Sequence, residues 1–260
     1  MYFQFLFLTV YLLFHPPIGT QTLSRTDFRF SDAMVHKSVI CLVLLAVFAS
    51  DVYAIRFRRY TDGSQPGFND DVAYSTRAYW MRRALAVQTS TQGTNCPFGA
   101  FGAVIVNRTD NTLFCTNSGQ RTAPRDPALH AENEAMRNCT AKLAAMGIER
   151  PGQAYNIWNQ LDLYATGEPC AMDCGAALWS RFNTVVWAVS IDTLSNAGFL
   201  QIEMPCDKTF DEPNYPTRWI GRFLEDEIAP YFSWQYDPDY PCPTGCQRVV
   251  GATGSTCSKI

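Results

Sequence analysis

The chain has 260 residues, 47% hydrophobic and 17% charged, which is enough apolar material for a packed core and excludes a disordered polyelectrolyte. Its 21 basic and 24 acidic residues leave a net charge of −3. With Arg56, Arg58 and Arg59 as the only dense basic cluster, the composition argues against nucleic acid as a partner and for small-molecule chemistry.

Two hydrophobic stretches open the chain. Residues 1–14 are almost wholly apolar yet too short to span a bilayer as a helix. A second run, 39–49, follows His36 and Lys37 and closes with small residues at Ala49-Ser50 and Val52-Tyr53-Ala54. That is the pattern of a secretory signal cleaved near Ala54. Translation from Met34 would account for the doubled segment; a short two-pass anchor would need longer runs. On either account the functional part begins near Ile55, and the mature chain carries no stable membrane span. Cleavage removes three basic residues (Arg25, Arg29, Lys37) and three acidic ones (Asp27, Asp32, Asp51), so the charge stays at −3.

Of the ten cysteines, only Cys41 lies in the leader, which leaves nine. That density fits an oxidising compartment and disulfide staples, and so a secreted, extracellular protein. Two glycosylation sequons, Asn107-Arg108-Thr109 and Asn138-Cys139-Thr140, agree with export; the first, at a strand end, is the better acceptor.

Along the chain, apolar residues recur at helical spacing over 71–88. Residues 99–106 and 112–116 predict two strands joined at Asp110-Asn111 as a hairpin. A helix is expected from Asp126-Pro127 to about residue 145, ended by Gly147. A strand over 161–166 leads through Gly167-Glu168-Pro169 into a helix reaching about residue 181. The run 184–190 is apolar throughout, a strand buried on both faces. A short helix over 192–200 and an amphipathic helix over 217–232 follow. The tail after Tyr236, rich in Pro, Gly and Cys, predicts no regular structure. This order is that of an α/β sandwich with a mixed sheet. It divides the chain into a leader (1–54), a main domain (55–235) and a Cys-rich tail (236–260).

His130 is the only imidazole beyond residue 54, which excludes sites built on two histidines, His-Glu-x-x-His among them. No Gly-x-Ser-x-Gly elbow offers a serine nucleophile. His130 lies in Pro127-Ala128-Leu129-His130-Ala131-Glu132. Some forty residues later comes Thr166-Gly167-Glu168-Pro169-Cys170-Ala171-Met172-Asp173-Cys174-Gly175-Ala176-Ala177. These two segments resemble the His-x-Glu and Pro-Cys-x-x-Cys halves of the CMP/dCMP-type and tRNA-adenosine-type zinc deaminases, in the cytidine deaminase-like superfamily. The resemblance extends over roughly 71–200. It implies a three-layer α-β-α sandwich with a mixed sheet of about five strands. It also implies a Zn2+ ion held by His130 and Cys170, with Glu132 moving protons between water, the substrate ring and departing ammonia.

Helix geometry agrees with that assignment. Residues two apart on a helix point away from each other, so His130 and Glu132 share a site only if His130 sits at the helix start. Cys170 also opens its helix, where partial positive charge favours a thiolate. The chain departs from the family pattern at the second cysteine, since three residues separate Cys170 from Cys174. Ungapped, Asp173 takes the second ligand position; a one-residue bulge would bring in Cys174 instead. Counting favours Asp173: with Cys170 alone as ligand, eight cysteines can pair completely, whereas ligation by Cys174 strands one. Loss of the metal and of catalysis is the third alternative.

The resemblance places Asn117 and Ala103 at the substrate, against ordinary turn and packing roles. Phe98, Phe101, Trp158 and Trp179 either line a base pocket or pack the core. The expected function is hydrolytic deamination of a cytosine-, guanine- or adenine-type base or nucleoside, in a chain compatible with a homodimer. The rival is a secreted binding protein that keeps the scaffold without the chemistry.

Overall fold

The computed structural model describes residues 70–118, 126–211, 214–251 and 254–260. The leader expected over 1–54 lies outside the described residues. Among the described residues, no helix is long and apolar enough to cross a membrane.

Helix α1 (Tyr74–Gln92) leads into an antiparallel hairpin of β1 (Gly102–Asn107) and β2 (Thr112–Ser118). Then come α2 (Ala131–Ala145), α3 (Pro151–Trp158), β3 (Leu161–Gly167), α4 (Ala171–Ser180), β4 (Thr184–Val189) and α5 (Ile191–Asn196). The chain continues through α6 (Cys206–Phe210), β5 (Arg218–Ile220), α7 (Glu225–Ile228) and α8 (Pro230–Ser233). It ends in a second hairpin of β6 (Cys246–Gly251) and β7 (Gly254–Lys259). The main sheet runs β2-β1-β3-β4-β5, with β1 antiparallel to both neighbours and β3, β4 and β5 mutually parallel. This five-stranded mixed sheet between helices is the α/β sandwich that the motif order predicts.

Strand alternation builds the two cores. Ala103, Ile105, Leu163, Ala165, Val185 and Trp187 face one way, against Ala135, Met136 and Leu143 of α2, Trp158 of α3 and Ala177 and Leu178 of α4. The intervening Val104, Val106, Tyr164, Val186 and Ala188 face the other way, against Trp80, Met81 and Ala84 of α1, Leu194 of α5 and Phe232 of α8. Period-two alternation with both faces covered explains why β4 reads as an apolar run. At the start of β3, buried Arg77 of α1 donates to the Tyr164 hydroxyl (3.0 Å) and pairs with Asp70 and Asp162.

Four expectations are corrected. The helix expected from Asp126 begins only at Ala131: the Asp126 carboxylate accepts from Ala128 N–H (2.9 Å) and holds a turn first. Residues 217–232 are not one helix. Arg218–Ile220 add a parallel strand beside Thr184–Val186, and Trp219 stacks on Trp187 at 5.5 Å between centroids. Gly221 then lets the Trp187 ring approach its backbone, and the positive φ of Arg222 and Leu224 breaks helical continuity. The tail is also regular, because β6 and β7 pair in register and pack with Cys96 and Trp234 in a third cluster. Two short helices, α3 and α6, carry weak periodicity and went unpredicted.

Four disulfides staple this frame. Cys115–Cys139 joins β2 to α2, Cys174–Cys206 joins α4 to α6, Cys96–Cys246 ties the tail hairpin to the loop after α1, and Cys242–Cys257 closes that hairpin. The first bond passes through the sequon at Asn138, whose side-chain amide donates to the Thr116 carbonyl (3.0 Å).

Contact between α1 and β1 is close enough to require glycine at 102, where a Cβ would collide with the Ala84 carbonyl. Gly102→Ala is expected to destabilise the fold by about 1–3 kcal/mol, the usual cost of overpacking. Denaturant unfolding measures this; a variant as stable as the parent would show that α1 moves away freely.

Candidate metal centre and pocket

The candidate site lies where β3 ends and β1 begins, at the carboxyl end of the parallel strands, the usual ligand position in open α/β sheets. Two helix starts meet there. His130 is the N-cap of α2, with extended backbone (φ −78°, ψ 157°), and Cys170 is the N-cap of α4 (φ −71°, ψ 171°). This geometry lets His130 and Glu132 line one cavity despite being two residues apart.

Asp173 occupies position N3 of α4, where its carboxylate reaches back to the Cys170 N–H (3.3 Å) in a capping box. The same oxygen, Oδ2, stands 2.8 Å from His130 Nδ1, and Cys170 Sγ stands 3.7 Å from that nitrogen. The donor atoms of His130, Cys170 and Asp173 all lie within 4.8 Å of one another. Cys174, the competing ligand, is bonded to Cys206 and has no thiolate to offer, while Cys170 is the free cysteine among the described residues.

Electrostatics at this point favours positive charge. The hydrogen bond that the imidazolium donates to Asp173, then that to Cys170, holds the His130 pKa up at about 10 against the cost of burial. Nitrogen, sulfur and oxygen donors in a set of three, with a pocket beside them, fit zinc with a coordination position left open.

The pocket is lined by His130, Cys170, Asp173, Glu132, Glu168 and Phe101, with Leu129, Ala131, Leu200 and Gln201 completing it. Glu132 is only 4% exposed; burial, then the Asp173 charge, pushes its carboxyl up to about 8. A carboxyl poised near neutrality can both take and give a proton. Glu168 is equally buried, and burial lifts it to about 7 although the N–H groups of Ile191 (2.9 Å) and Cys206 (2.8 Å) both donate to it. Phe101 is held edge-on by Phe232 and Phe199, with ring centroids at 4.9 and 5.6 Å, and Gly167 leaves room for its ring.

Among the other sequence candidates, Ala103 is fully buried and its carbonyl accepts from the Thr116 hydroxyl (2.9 Å). Asn117 pairs with Ala103 across the hairpin, and its Oδ1 accepts from Ser118 N–H (2.7 Å). Neither lines the described pocket. Trp158 is core, while Phe98 and Trp179 are half or more exposed, away from the pocket lining. Glu168, Leu200 and Gln201 enter the site without a role assigned from sequence. Glu168 stood beside the Pro169-Cys170 signal, but its partners lie more than twenty residues away.

Residues 74–189 match the cytidine and deoxycytidylate deaminase zinc-binding region. The guanine deaminase of Bacillus subtilis (strain 168) is 31% identical over 153 residues, which is 58% of this chain and 89% of that protein. The chain belongs to this deaminase family. A probable cytosine deaminase of Schizosaccharomyces pombe is 26% identical over 152 residues, 56% of this chain and 85% of that one. The solved guanine deaminase from Nitrosomonas europaea superposes with a TM-score of 0.44 at 20% identity, covering 66% of this chain and 89% of its own. Aligned without a gap to the Pro-Cys-x-x-Cys motif, Asp173 stands at the position of the second cysteine.

Metal analysis of purified protein is expected to find about one zinc per chain. Asp173→Ala should lose most of it, while the double substitution Cys174→Ala and Cys206→Ala should retain it. The reverse ranking would move the third ligand to Cys174.

Proposed function

We propose that this chain is a zinc-dependent hydrolase that removes an exocyclic amine from a nucleobase or nucleoside, releasing ammonia outside the cell. The observation that carries the reading is the convergence of His130, Cys170 and Asp173 beside the buried Glu132 carboxyl in one pocket. Membership of a family whose relatives include guanine and cytosine deaminases supports the same chemistry.

His130, Cys170 and Asp173 would hold the metal, which when bound supplies a Lewis acid that acidifies water. Glu132 moves the protons: its carboxylate accepts one from the attacking water and passes it to the ring nitrogen beside the reacting carbon. It then takes the second proton from the hydroxyl now bonded to that carbon and delivers it to the amine; the carbon–nitrogen bond breaks, a carbonyl is left on the ring and ammonia departs. Phe101 offers an apolar face to a planar ring, and Leu129 helps exclude water. A net charge of −3 makes a free base or nucleoside a better substrate than a nucleic acid. The nine cysteines beyond the leader and the four disulfides support an oxidising, extracellular setting.

Ammonia release from guanine, cytosine, adenine and their nucleosides tests the reaction. Glu132→Gln is expected to lower the rate by about 10²–10⁴-fold with zinc still bound, the usual contribution of a positioned acid–base group. Activity that survives that substitution would remove Glu132 from the mechanism. For export, the secreted protein should begin near Ile55 and, unfolded without reductant or metal, titrate a single thiol from Cys170. A retained leader with Cys41 would raise the thiol count.

A further inference from the structure

We propose that Asn133 is a positioning residue that restricts Asp173 to one ligating oxygen, an inference that rests on the zinc reading above. Replacing a cysteine by an aspartate in a metal site creates a difficulty. A thiolate has one donor atom, but a carboxylate has two oxygens and can chelate with both. Chelation by both would fill the position that water needs, and a carboxylate free to swing would hold the metal loosely.

Asn133 removes that freedom. It follows His130 by three residues, so the N-cap of α2 and its N3 residue present their side chains to the same neighbour. Asn133 Nδ2 donates to Asp173 Oδ1 at 2.7 Å, while Asp173 Oδ2 faces His130 Nδ1 at 2.8 Å and receives the Cys170 N–H. The amide orientation follows from chemistry, because an ionised carboxylate only accepts hydrogen bonds and the Asn133 oxygen cannot serve. The two oxygens are thereby given different work. Oδ1 is turned toward α2 and occupied by Asn133, leaving Oδ2 as the atom that looks toward the thiol and the imidazole.

Hydrogen bonds behind metal ligands typically contribute about 10–100-fold in affinity. Asn133→Leu keeps the volume and removes the donor. Its zinc affinity, read by competition with a chromophoric chelator, should fall by about 10–100-fold. The melting temperature of the metal-free protein should fall as well, because the buried Asp173 Oδ1 loses its donor, so affinity is read well below it. In cobalt-substituted protein, the visible d–d bands should weaken as the second oxygen enters and the ion gains a ligand. In an Asp173→His background, where the ligand has no second oxygen, the same Asn133→Leu change should cost nothing further. Zinc affinity and cobalt spectrum both matching the parent would overturn the proposal and leave the deaminase reading standing. A parent protein that binds no zinc would overturn both.

Discussion

Everything at the site depends on a single carboxylate placed where two helices begin. Asp173 closes the first turn of α4 by accepting from the Cys170 N–H, and its other contacts reach His130 and Asn133 on α2. The first requirement is local, since the leading N–H groups of a helix have no partners within it. The second is tertiary, because it couples chain segments forty residues apart. One buried side chain serves both, and so the cap of α4 and the orientation of His130 stand or fall together.

That economy concentrates negative charge. Glu132, Glu168 and Asp173 are each almost wholly buried around one small cavity, and burial of carboxylates is costly unless partners compensate. The compensation differs for each. Glu168 takes two backbone N–H donors, Asp173 takes an imidazole, an amide and a helix start, and Glu132 is left to ride near neutral pKa. Glu168 thereby works as a strut. Its oxygens hold Ile191, which opens α5, and Cys206, which opens α6, while the Cys174–Cys206 bond holds α6 to α4. The segment carrying Leu200 and Gln201 runs between those two anchors along the edge of the pocket.

What could be read from sequence follows the range of the forces involved. His130, Glu132 and Cys170 stand out through their motif resemblance, and the structure brings them to one pocket; the placing of His130 and Cys170 at helix starts needs only local context. The alternation in β1, β3 and β4 was equally local. Arg218–Ile220 misled because Ile220, Leu224, Ile228 and Tyr231 are also spaced for a helix; what decides for a strand is the edge of β4, which periodicity does not show. The tail misled for another reason. Pro, Gly and Cys signal irregular backbone, but the β6–β7 hairpin is held by two disulfides and the Trp234 cluster rather than by propensity. The partners of Glu168 and Asn133 left no sequence signal, since a hydrogen bond between distant segments has no period.

The choice between Asp173 and Cys174 shows how a global constraint bears on a local ambiguity. Spacing alone admits either residue, and both lie in the first turn of α4. Parity among the nine remaining cysteines favours a free Cys170 with four pairs, and the structure has that arrangement, with Cys174 committed to Cys206. The bond draws the Cys174 sulfur to α6, so the neighbouring carboxylate has no thiolate rival for a cation. In an oxidising compartment a second thiolate in the site would be open to disulfide exchange, whereas an aspartate cannot be oxidised in that way. Under the proposed reading of an exported deaminase, oxygen in place of sulfur at this position would suit the compartment, provided that the second carboxylate oxygen is kept occupied.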